Sequence, residues 1–226
     1  MLDRTKHQLV MKQLLREVFS DQELSAQLVF KGGTSLMLFH GLDRFSTDLD
    51  FDLRSGIEGM DFQRLQELAL KHIAIKDAAL KKNTCLIKGS YEVGMQQIKI
   101  EVSIRSYPQS FTIFDFLGLS VPVLSEGFQL AHKLCAISSR KTMLNRDIYD
   151  ADFMLKKNWE PNAQIIELRT GQSPTGYYQE LLKTTEEASV SKNIMIGLGE
   201  VLSQKERTWA QQNLIKSFRE QLLLRL

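Results

Sequence analysis

Apolar and polar positions follow two different rhythms along this chain. From Arg4 to Phe19, the residues Leu9, Val10, Leu14, Leu15 and Val18 recur every three to four positions, which predicts an amphipathic helix with Asp3 placed to cap it. The run from Gln27 to Phe30 reads as a short strand stopped by Gly32 and Gly33. Thr34 to His40 then reads as a helix entered from the glycines and ended by Gly41. Over 48–53 the period becomes two: Asp48, Asp50 and Asp52 share one side, and Leu49, Phe51 and Leu53 the other. Met60 to Lys82 carries Leu65, Leu68, Ala69, His72, Ile73 and Ile75 and predicts one long helix. Strands are expected at 84–89, 91–95 and 97–104. In the last, QIKIEVSI, the residues Ile98, Ile100, Val102 and Ile104 face one way and Lys99, Glu101 and Ser103 the other.

Beyond about residue 118 the helical rhythm takes over. Helices are expected from Ser125 to Arg140 and from Asp147 to Lys157, then near 161–169, 175–188, 191–202 and 204–224. Strands first and helices afterwards predict an α+β protein: a mixed sheet flanked by helices over 1–120, then a helical bundle over 121–226. No internal repeat or low-complexity segment interrupts this order.

Composition narrows the class without choosing a function. The 226 residues are 43% hydrophobic and 25% charged, ordinary values for a globular protein. A net charge of +2, from 29 basic and 27 acidic residues, rules out a basic character spread over the whole chain, so any nucleic-acid contact must be a local patch. Cys85 and Cys135 stand far apart and form no metal-type spacing, which fits a reducing, cytoplasmic setting. The N-terminus lacks an apolar secretory core, and no apolar run of about 18 residues predicts a membrane span.

The candidate chemistry begins at RFSTDLDFDL (44–53). Side chains at i and i+2 on a strand lie about 6.5–7 Å apart on one face, so ionised Asp48 and Asp50 repel each other. Such a pair persists if water solvates it or if a cation bridges it. Magnesium is held by one or two carboxylates together with substrate phosphates, a task this strand suits. Upstream, Lys31-Gly32-Gly33-Thr34-Ser35 stands between strand and helix, where glycine N–H groups and two hydroxyls can cradle phosphate. Together the two segments describe a place for a nucleoside triphosphate and its metal. Glu101, on the polar face of a neighbouring strand, is the candidate third carboxylate; a solvated surface role is the rival reading. The four histidines have no ligand-like spacing. The segment from Ser203 to Leu226 carries five Lys or Arg and two Glu, read as a solvated helix face.

The segments KGGTSLMLFHGLDRFSTDLDFDL (31–53) and AHKLCAISSRKTMLNRDIYD (131–150) resemble the AbiEii/AbiGii-type toxin nucleotidyltransferases, in the superfamily that shares the minimal DNA polymerase β-like fold. The matched pattern is Gly-Gly-Thr, then Arg-Phe-Ser-x-Asp-x-Asp, then a Lys on one helix and Arg-Asp-x-x-Asp on the next. The resemblance implies a minimal nucleotidyltransferase fold whose C-terminal helices contribute to the active-site cleft. It implies catalytic roles for Ser46, Asp48, Asp50, Lys133 and Asp147, and nucleotide binding by Gly32, Gly33, Thr34, Ser35 and Arg44. Metal binding falls to Asp48 and Asp50, with Glu101 added from the strand pattern.

The implied activity is NTP-dependent transfer of nucleotides, with Mg²⁺ or Mn²⁺, to an RNA acceptor such as the tRNA 3′ end. The implied partner is a cognate antitoxin from a neighbouring gene. Two other readings stay open: transfer to a protein or small molecule, and a nucleotide-binding module without turnover. Several pairings are expected. Lys133, Ile137 and Arg140 share a helical face. Asp147 orients Lys133 or caps its helix, and Asp150 pairs with Arg146. Arg44 meets a phosphate or anchors its loop to Asp50 or Asp52, and Asp52 is structural or peripheral.

Overall fold

The computed structural model describes residues 3–139, 145–189 and 194–226. The chain divides into two units, Met1–Gly41 with Phe45–Leu124, and Leu42–Arg44 with Ser125–Leu226.

In the first unit, α1 (Arg4–Ser20) starts where Asp3 accepts a hydrogen bond from the Lys6 amide, as expected. It buries Val10, Met11, Leu14, Leu15, Val18 and Phe19. A short α2 (Gln22–Gln27) leads into β1 (Leu28–Lys31). Then α3 (Gly32–Ser35) runs on in π-helical turns through Leu36–His40, closed by Gly41 at φ +77°. After β2 (Asp48–Leu53) come α4 (Phe62–Leu70), β3 (Ala74–Lys81), β4 (Thr84–Ser90), β5 (Ile98–Ser103), β6 (Phe111–Phe116) and β7 (Leu119–Leu124).

The strands form one sheet of seven in the order β3-β4-β5-β2-β1-β7-β6. It is mixed: β1 runs antiparallel to β2 and parallel to β7, while β2 and β5 are parallel. The centre of the sheet is therefore β5, β2 and β1, the strands that carry Glu101, the three aspartates and the entry to Gly32. Alternation works as predicted on β2 and β5. Leu49, Phe51, Ile98, Ile100 and Val102 are buried in the core, where the Phe51 ring lies 5.3 Å from that of Phe30.

Three expectations for this unit are corrected. The helix expected over Met60–Lys82 stops at Leu70, and 74–81 is an edge strand paired antiparallel with β4. AIKDAALK has no strong β preference; cross-strand pairing decides its conformation, and its charged residues suit an exposed edge. The strand expected at 91–95 is a turn, because Tyr91–Gln97 carries the chain between the antiparallel β4 and β5. Strands β6 and β7 were not expected. Their hairpin turns at Leu117 and Gly118, both at positive φ, and Pro122 inside β7 argues against a strand in sequence terms.

The second unit is helical: α5 (Glu126–Ser139), α6 (Asn145–Lys156), α7 (Ala163–Thr170), α8 (Pro174–Ser189) and α9 (Gln204–Leu223). Its core includes Leu130, Leu134, Ile148, Met154, Ile165, Tyr177, Leu181, Leu214 and Phe218. The described part of the helix expected at 191–202 is a run of turns from Ile194. Arg140 lies outside the described residues. On α9, Ser203 and Glu206 form a reciprocal cap. Two basic residues of this segment turn inward: Arg219 on α9 donates to the Leu182 carbonyl, and Arg225 just beyond it to that of Leu155.

Candidate active site

In the first unit the predicted residues gather on one face of the sheet interior. The parallel register of β2 and β5 sets Asp48 beside Lys99 and Asp50 beside Glu101. Asp48 is 23% exposed and Glu101 35%, so both reach solvent. The Lys99 ammonium lies 3.5 Å from Asp48 Oδ2 and 3.2 Å from Glu101 Oε2. Burial works against its charge, but attraction to Asp50, Asp48 and Glu101 outweighs this and raises its pKa above the ordinary lysine value. Repulsion along the acidic face is thus relieved in part by a lysine two residues before Glu101. Sequence reasoning put Lys99 on the correct face of QIKIEVSI and gave it no task; the i, i+2 spacing to Glu101 was the available signal.

Asp52, the third aspartate of the row, is buried and paired with Lys31, matching the structural role expected for it. Gly32 has φ +83°, and a Cβ built there would meet Asp50 Oδ2 at 2.6 Å. Glycine is therefore needed twice, for its backbone angle and for the approach of the Asp50 carboxylate. The Thr34 hydroxyl donates to the Asp48 carbonyl, tying α3 to the first residue of β2. The Ser35 hydroxyl donates to the Gly32 carbonyl at 2.9 Å and closes the same turn. Both hydroxyls are thus engaged by backbone. Gly33 is buried within α3, and Ser46 is buried two residues before β2. Next to Ser46 in the loop, His7 Nε2–H donates to the Thr47 carbonyl at 2.9 Å, and burial lowers the His7 pKa.

The donor set suits a hard divalent cation. Oxygen ligands share one face, and three carboxylates with one ammonium leave a formal charge of −2. Among the described residues, no three His, Cys, Asp or Glu side chains converge closely enough to ligate a metal as they stand. The Lys99 ammonium holds the position between Asp48 and Glu101.

The other predicted residues form a second cluster, inside the helical unit. The Arg44 guanidinium donates through Nε and Nη2 to the two oxygens of Asp150, at 2.5 and 2.6 Å. Lys133 on α5 reaches Asp147 Oδ1 at 3.0 Å and Asp150 Oδ2 at 2.8 Å on α6. Asp147 and Asp150 lie three residues apart on α6, so one helical face presents both. Asp150 is fully buried and Arg44 nearly so. Burial opposes every charge here, yet the mutual attraction prevails: Asp150 is held below the usual carboxylate range, and Lys133 and Arg44 are raised. Two expectations change. Arg44 bonds Asp150, a partner not expected for it, and the ion-pair partners of Asp150 are Arg44 and Lys133 where Arg146 was expected. The pairing of Asp147 with Lys133 is as expected.

A cavity of about 350 Å³ in this unit is lined by Asp43, Tyr149, Asp152, Lys156, Glu206 and Trp209, among others. No predicted site residue lines it. Lys156 sits 4.3 Å from the Trp209 ring centroid and 2.8 Å from Asp152, and Tyr149 donates to Asp43 at 2.8 Å.

The family described as nucleotidyl transferase AbiEii toxin, type IV toxin–antitoxin system, matches residues 13–211. The chain belongs to the AbiEii nucleotidyltransferase toxins. The family assignment makes this a toxin-type nucleotidyltransferase and implies an antitoxin counterpart. JHP933 from Helicobacter pylori has a similar solved structure, at TM-score 0.58 and 17% identity, covering 98% of this chain and 94% of its own. A candidate nucleotidyltransferase from H. pylori is similar at TM-score 0.57 and 20% identity, covering 98% and 97%. At these identities the likeness is one of fold. No curated protein matches the chain. Among the described residues, no helix is long and apolar enough to cross a membrane.

Proposed function

We propose that this AbiEii-family toxin is a divalent-metal-dependent enzyme that transfers a nucleotide from an NTP to an RNA hydroxyl, with the tRNA 3′ end as the expected acceptor. The observation that carries the reading is the acidic face itself. Asp48, Asp50 and Glu101 are aligned by strand register, and Asp50 is seated against the bare backbone of Gly32.

Asp48 and Asp50, with Glu101 across the strand pair, would hold Mg²⁺ or Mn²⁺. When bound, the metal neutralises charge building on the phosphate oxygens and makes the acceptor oxygen a better nucleophile. The turn at Gly32, Gly33, Thr34 and Ser35 is the segment assigned to the triphosphate. The Thr34 hydroxyl holds the turn against β2, and the Ser35 hydroxyl closes the turn on itself. In the overall exchange the acceptor hydroxyl oxygen bonds to the α-phosphorus and gives up its proton to water, the bond from the α-phosphorus to the bridging oxygen breaks, and pyrophosphate leaves. Lys133 has three N–H donors. Two go to Asp147 and Asp150, which fix the ammonium in place. Asp147 positions Lys133, and Arg44 acts through Asp150. The toxin works in the cytoplasm, offset by an antitoxin encoded beside it.

The test is to incubate purified protein with Mg²⁺, each labelled NTP and total RNA or lysate. Label on tRNA-sized RNA, lost in Asp48→Ala, is the expected result. Label on protein or on a small molecule would replace the acceptor. NTP binding with no transfer would leave a nucleotide-binding module.

A further inference from the structure

We propose that Lys99 is a built-in counter-ion of the acidic face, and that a divalent cation must displace its ammonium to bridge Asp48 and Glu101. The inference rests on the metal-binding reading above and concerns how that site is regulated.

The strand itself is anchored. Ile98, Ile100 and Val102 are buried in the core, so the backbone at Lys99 cannot retreat from β2. The side chain can. At 30% exposure, its four-carbon stem lets the ammonium swing into water without moving the sheet. Its present position is costly unless the acids hold it, because burial between the strands opposes its charge. Between Asp48 and Glu101 the ammonium takes the place that a bridging metal would need, and one position cannot hold two cations.

Two consequences follow. Without metal, Lys99 keeps the three carboxylates from forcing the strands apart. Against free metal, it raises the concentration needed for occupancy. A triphosphate brings its own anionic oxygens, both as metal ligands and as a new partner for the displaced ammonium. The site then fills at lower metal concentration when nucleotide is present than with metal alone.

The experiment titrates nucleotide-free protein with Mn²⁺, following the loss of the free-ion EPR signal, and records metal-free melting curves. Lys99→Met should bind Mn²⁺ tighter by on the order of tenfold, the scale of one partly buried ion pair, and should melt lower until Mn²⁺ is added. Lys99→Arg should behave like the native protein, and Asp48→Asn should weaken binding in either background. A Lys99→Met protein that folds only with Mn²⁺ present would also support the proposal. Equal or weaker Mn²⁺ binding in Lys99→Met overturns it and leaves the metal site standing. So does tightening in Lys99→Arg equal to that in Lys99→Met, since packing rather than charge would then be responsible. Absence of Mn²⁺ binding in every variant, with and without NTP, overturns the metal-binding reading and this inference with it.

Discussion

Arg44 grips Asp150 with two parallel hydrogen bonds of 2.5 and 2.6 Å, joining residues 106 apart in the sequence. The pair is almost free of solvent and shares its carboxylate with Lys133, so its geometry is that of a strong, desolvated ion pair. Removing the acid leaves two cations without their main partner.

Asp150→Ala should therefore cost about 3–5 kcal/mol of stability, the range for breaking a buried pair from one side. Urea unfolding followed by circular dichroism measures it. A loss under about 1 kcal/mol would mean that solvent or another acid reaches the cluster.

The same pair sets a pH dependence. Asp150 has a folded-state pKa below its ordinary 3.8, so in the window beneath that value the unfolded chain binds more protons than the folded one. Its contribution is complete above about pH 4 and falls away as pH drops through the folded pKa. Lys133 and Arg44 are both raised above their ordinary values by the neighbouring acids, so their contribution holds through neutral pH and is lost only at high alkalinity. Melting temperature recorded from pH 7 down to pH 3 should fall less steeply in Asp150→Asn than in the native protein.

Gly32→Ala meets two obstacles at once, a left-handed backbone angle and the Asp50 carboxylate. It should lose roughly 1–3 kcal/mol from backbone strain and displace Asp50 from its seat. Nucleotide transfer should drop further than that loss of stability explains. Gly41→Ala, at a similar angle but with open space around the added Cβ, supplies the control. Equal transfer activity in the two variants would remove the special role of Gly32.

The three aspartates of β2 should separate into two kinds. Asp50→Asn is expected to lower turnover by about a hundredfold or more, as for loss of a group that stabilises transition-state charge, with little change in stability. Asp52→Asn should instead weaken its pair with Lys31 and cost about 1–2 kcal/mol, with turnover changed only modestly. Steady-state kinetics beside melting curves distinguishes them. A larger kinetic loss in Asp52→Asn would reverse the assignment.

Much of the architecture was legible where one period dominated. The alternation of 48–53 and 98–103, the capped first helix and most of the C-terminal helices follow from local patterning, because burial on one side leaves a periodic trace in the sequence. The edge strand 74–81 left none. With most of its residues exposed, no periodic burial marks it, and its conformation comes from hydrogen bonding to β4. The hairpin of β6 and β7 was hidden by Leu117 at positive φ and by Pro122, residues that local rules place elsewhere.

The chain alone determined which carboxylates line up and that a glycine turn lies beside them, because both depend on spacings of one to three residues; that Gly32 and not Gly33 takes the left-handed angle came from the folded backbone. Partners across long separations were decided by the tertiary structure. Arg44 chose Asp150, and Lys99 came to lie between Asp48 and Glu101. Such choices depend on strand register and helix packing, and a buried charge settles on whichever opposite charge the folded backbone brings within about 3 Å.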